Sequence, residues 1–73
     1  MKPGDLYIIK LPFQIFEQAY VYDHLNRYLP KHAMAGEAVM ILDIDFYMVN
    51  FLTRTGLYRS SFIDFTTNAM ELQ

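Results

Sequence analysis

The chain has 73 residues, enough for one domain over residues 1–73 and one small core. It has no cysteine and only two histidines, at unrelated spacing, which excludes disulfides and thiolate metal sites and makes a structural zinc improbable. The net charge of −2 supplies no global attraction to nucleic acid, and no cofactor is expected.

Lys2-Pro3-Gly4-Asp5 is turn chemistry, because Pro fixes φ and Gly permits unusual backbone angles. Leu6 to Leu11 is β-branched and aromatic and ends at Pro12, which predicts a first strand. Phe13 to Leu29 stays open between two readings. Phe13, Phe16, Tyr20, Leu25 and Tyr28 roughly follow helical spacing, whereas Tyr20-Val21-Tyr22 favours a strand, which reads as an extended excursion or irregular strand. Pro30 to Gly36 reads as a loop.

Glu37 to Leu42 predicts a strand with Val39 and Ile41 on one face and Ala38, Met40 and Leu42 on the other. Asp43-Ile44-Asp45 reads as the turn after it. Phe46 to Thr53 is again apolar on both faces, with Phe46, Met48 and Leu52 opposite Tyr47, Val49 and Phe51, and Asn50 breaking the first face. A turn at Arg54-Thr55-Gly56, a strand from Leu57 to Ser60, a tight turn at Ser61 to Asp64 and a closing strand from Thr66 to Leu72 complete the expectation. The predicted class is all-β: a small five-stranded barrel with one helix or long excursion after the first strand.

Four local patterns resemble known barrels. Gly56-Leu57-Tyr58-Arg59-Ser60-Ser61-Phe62-Ile63 resembles the Gly-Tyr-Ile-Pro-Ser-Asn-Tyr-Val ending of Src-homology-3 (SH3) domains. Pro3-Gly4-Asp5-Leu6 is similar to the opening of many short barrel proteins, including small ones encoded by phages. Asp45-Phe46-Tyr47-Met48-Val49-Asn50 resembles the Asp-x-φ-Met-Asn motif of Sm-like proteins (φ hydrophobic), with one extra residue before the Asn. Arg54-Thr55-Gly56 resembles their Arg-Gly turn, again with one residue inserted. The Sm-like resemblance implies a non-enzymatic ring that holds single-stranded RNA through Asn50, Arg54 and an aromatic, Tyr47. The alternative is an SH3-like protein-interaction or phage assembly module without nucleic-acid binding, its protein partner unspecified.

Catalysis is not expected. Asp43 and Asp45 more simply solvate a turn than bind a cation or transfer protons, and nothing nearby adds the oxygen ligands that a metal needs. His24 and His32 flank Pro30 without a nucleophile, and Ser60 and Ser61 lack a nucleophile-elbow context. Tyr20, Tyr22 and Tyr28 with Arg27 are the material of a stacking platform, or of a covered barrel end.

Apolar residues make up 53% of the chain and aromatics 16%, with only 19% charged. A lone barrel of this size leaves one of its two apolar faces uncovered, which predicts a homo-oligomer. A ring closed by edge-strand pairing is its expected form, with a dimer as the alternative. Val49, Phe51, Phe62 and Phe65, with Tyr47, are the expected apolar interface. Asp43 and Asp45 interrupt the longest apolar stretch below the roughly 18–20 residues of a membrane-crossing helix, and Met1 to Asp5 lacks a signal-peptide core. No membrane association and a cytoplasmic location are expected, host cytoplasm if the protein is phage-encoded.

Overall fold

The computed structural model describes residues 1–17 and 30–72, and its architecture is all-β with one short helix. The strands are β1 (Leu6–Ile9), β2 (Phe13–Glu17), β3 (Pro30–Ala33), β4 (Ala38–Asp45), β5 (Met48–Thr53), β6 (Gly56–Ser61) and β7 (Ala69–Glu71), with helix α1 (Phe62–Asn68) before β7. They form one antiparallel sheet in the order β3-β2-β6-β5-β4-β1-β7, curled into a half-barrel. Seven strands among the described residues thus replace the expected five.

Period-two alternation decides the inner face. Tyr7, Ile9, Phe13, Ile15, Val39, Ile41, Val49, Phe51 and Tyr58 all point inward and are buried together. Phe65 of α1 fills the centre. Its ring meets Tyr7 at 5.3 Å, Phe13 at 6.0 Å and Phe51 at 5.3 Å between centroids. The first two pairs are edge-on, an arrangement that complements ring quadrupoles beyond the area buried.

Three elements differ from the sequence expectation, and one falls on a segment it left open. Phe13–Glu17 is a strand, in line with the extended or irregular-strand reading and not the helical one, and the rest of that segment, 18–29, lies outside the described residues. Residues 30–33, expected as loop, pair with β2 instead, with Phe13 opposite Ala33 and Ile15 opposite Lys31. Asp43 and Asp45 lie inside β4, which runs on past a bulge between Ile41 and Asp43. The bulge lets one eight-residue strand bend and serve both β1 and β5. The turn sits two residues later than expected, at Phe46-Tyr47, with Asp45 paired to Met48.

The third difference is α1, expected as a tight turn plus the start of a strand. Ser61 caps it, its hydroxyl accepting from the Asp64 amide at 3.1 Å, and Asp64 adds acidic charge to the first turn. The helix ends where the extended Ala69 begins β7, which pairs with β1. Among the described residues, no helix is long and apolar enough to cross a membrane.

Candidate functional site: an apolar barrel tip

The β4–β5 hairpin closes on a two-residue loop. Phe46 adopts φ 54°, the only non-glycine residue with positive φ among those described. Two-residue hairpins with positive φ at the first central position alone are of the type whose first central residue is preferentially Gly. A phenylalanine there costs about 1–2 kcal/mol in backbone strain. Its side chain recovers nothing from the core, being 92% exposed. Tyr47 beside it is 74% exposed, with the two rings 6.5 Å apart.

The helix start is fastened to this tip. The Phe62 amide donates to the Tyr47 carbonyl at 2.6 Å, so Phe62 and then Ile63 open α1 at the same end of the barrel. Ile63 is 74% exposed, although Phe65 two residues later is wholly buried. Hairpin and helix together therefore present Phe46, Tyr47, Phe62 and Ile63 to solvent. Exposed apolar side chains grouped in this way are the material of a contact surface.

The residues expected to hold RNA do not converge. Tyr47 lies at one end of β5 and Arg54 just past the other, about 23 Å apart at the rise of an extended strand. Asn50 sits between them, only 4% exposed and engaged on both sides. Its amide NH2 donates to Asp43 Oδ1, and its Oδ1 accepts from Arg59 Nε at 3.0 Å. Arg59 also lies 3.7 Å from Asp45. These four side chains form a polar ladder across β4, β5 and β6, which explains why two aspartates are tolerated inside a strand.

The interface expectation also needs correction. Val49, Phe51 and Phe65 have no exposed surface and belong to the chain's own core. Phe62 and Tyr47 alone of that group reach the surface. Both faces of β5 are apolar, and it is the Val49/Phe51 face that turns inward.

Among the described residues, two concave regions lie elsewhere. Arg54 lines a shallow groove of about 450 Å³ with Ala35, Gly36, Glu37 and Ala38. A smaller hollow of about 170 Å³ is bordered by Ile15, Lys31, His32, Glu37, Thr53, Thr55 and Tyr58. Its polar groups are largely engaged with one another. Lys31 Nζ pairs with Glu17 at 2.6 Å and donates to the Tyr58 hydroxyl at 3.4 Å, and Thr55 Oγ1 lies 3.0 Å from that hydroxyl. The Glu17 carboxylate, then the Tyr58 hydroxyl, hold the Lys31 ammonium above its ordinary pKa.

No family model, curated protein or solved structure matches this chain. Among the described residues, no group of three His, Cys, Asp or Glu side chains is placed to hold a metal ion. His24, Tyr20, Tyr22, Tyr28 and Arg27 lie outside the described residues. Phe46 and Ile63 are the tip residues that the sequence did not single out. A signal for Phe46 existed in its place between Asp45 and Met48, but only once the hairpin is centred there.

Proposed function

We propose that this protein is a non-enzymatic interaction module, an SH3-like barrel that docks apolar side chains of a partner protein on Phe46, Tyr47, Phe62 and Ile63. The observation that carries this reading is Phe46. A large apolar side chain held at positive φ and nearly fully exposed costs stability and contributes none to the core, so its value lies outside the chain. The barrel class is supported by its connectivity. A β4-β5-β6 meander, a short helix after β6 and a last strand returning to pair with β1 form the order typical of that group.

The single-stranded RNA reading is less favoured. Asn50 is committed to Asp43 and Arg59, and Arg54 and Tyr47 stand at opposite ends of a strand. The test is selection from a displayed library of random peptides. Wild-type protein enriches peptides with clustered apolar residues, and a Phe46→Ser/Ile63→Ser variant does not. Equal enrichment by both proteins, or none by either, overturns the reading.

A further inference from the structure

Register places a second apolar surface on the outer side of the sheet. Leu6 is opposite Met40, Met40 opposite Leu52 and Leu52 opposite Leu57. On the other flank the Leu72 amide donates to the Leu6 carbonyl at 2.8 Å, which continues the row past β7. Leu72, Leu6, Met40, Leu52 and Leu57 therefore form one line across five strands, about 19 Å long at the usual strand spacing. Ile8 and Met70, paired with each other, lie beside it.

Leu6, Leu52, Leu57, Met70 and Leu72 are each between 38% and 51% exposed. At that exposure they present on the order of 400 Å², as large as the largest apolar patch of a typical monomer, which is often functional. The side chains flanking the row bring the footprint toward the roughly 800 Å² per partner of a stable dimer.

The charges beside the row name the occupant. Two residues beyond Leu52 in one direction stands Arg54, next to Ala38. Two residues in the other direction stands Asn50, directly opposite Asp43, with Asp45 further along the same strand. A two-fold axis lying along the row lays one copy's Leu52 over the other's. It also brings each Arg54 over the partner copy's Asp43/Asp45 side, where Arg59 meets one of the two carboxylates and a net single negative charge is left to face Arg54, so the two flanks are complementary as an isologous interface requires.

We infer that the outer sheet face is a homodimer interface, built on the Leu72-Leu6-Met40-Leu52-Leu57 row and flanked by reciprocal Arg54–Asp43/Asp45 attraction. It is separate from the barrel tip and leaves that surface open in each copy.

Sedimentation equilibrium over a micromolar to millimolar range tests it, with circular dichroism to verify folding. Wild-type protein reaches twice the 8.6 kDa chain mass. Leu52→Glu and, independently, Leu57→Glu stay monomeric with unchanged dichroism. Arg54→Glu raises the dimer dissociation constant about tenfold by turning attraction into repulsion, while Ile63→Ser leaves it unchanged. A wild-type monomer throughout overturns the inference and leaves a different protein or a lipid surface to cover the face. A dimer indifferent to both glutamate substitutions, or a closed ring of more than two subunits, overturns it as well.

Discussion

Arg59 Nε donates to Asn50 Oδ1 at 3.0 Å across β5 and β6, and Asn50 passes the polarity on to Asp43 in β4. A side chain that resembles a nucleotide-binding asparagine thus has its hydrogen-bonding groups engaged inside the sheet. Asn50→Ala removes both contacts and leaves Arg59 and Asp43 to be satisfied by water. The expected cost is about 1–3 kcal/mol, seen as a lower urea midpoint at unchanged slope. Arg54→Ala, at the exposed turn, shifts the same midpoint by no more than about 0.5 kcal/mol.

Phe65 is the side chain around which the half-barrel packs. Phe65→Ala empties the centre of three aromatic contacts and costs about 3–5 kcal/mol. At about 0.05–0.15 kcal/mol per residue the whole domain holds only roughly 4–11 kcal/mol. A urea midpoint lowered by about half, followed by the near-ultraviolet dichroism of the tyrosines at 25 °C, is the expected outcome. Ile63→Ala on the same helix leaves that midpoint nearly unchanged.

Phe46→Gly separates stability from function. Glycine relieves the positive φ at no steric cost, so the thermal midpoint rises, corresponding to about 1 kcal/mol. Binding of a peptide selected on the wild type weakens in the same variant. A fall in both quantities contradicts the account of the tip.

Burial, with Glu71 and Asp5 adding negative charge nearby, pushes the Tyr7 hydroxyl above the ordinary tyrosine pKa of 10.0. The protonated form is favoured in the folded chain, so the folded state binds more protons than the unfolded state above pH 10. Stability is therefore full below that pH and falls as pH rises through and beyond it. Lys31, also raised, acts in the same direction. Tyr7→Phe removes the phenol's contribution, so its urea midpoint falls less steeply between pH 9 and 11 than that of the wild type.

Much of the sheet was legible because its strands are local runs with turn residues at their ends. Leu6 to Ile9, the Val39/Ile41 face and the Arg54-Thr55-Gly56 turn all follow from period two and from glycine or proline punctuation. The Asp43–Asp45 segment did not, because aspartate is a poor strand residue until Asn50 and Arg59 neutralise it from neighbouring strands. Residues 30–33 read as loop because only non-local pairing with β2 makes them a strand. Helix α1 hid behind Thr66 and Thr67, although Ser61 followed three residues later by Asp64 was a start signal available in the sequence. The candidate site was less legible. With both faces of β5 apolar, alternation groups Val49 with Phe51 but does not say which face is inside.

The central claim is that the barrel tip, and not the Asn50–Arg54 region, is where this protein meets its partner. Amide chemical-shift mapping of one labelled sample tests it most directly, titrated first with a library-selected apolar peptide and then with short oligouridine at low salt. The account predicts that the peptide moves the resonances of Phe46, Tyr47, Phe62 and Ile63 and that oligouridine moves none. Saturable shifts at Asn50 and Arg54 on adding oligouridine, with a silent tip, would contradict it.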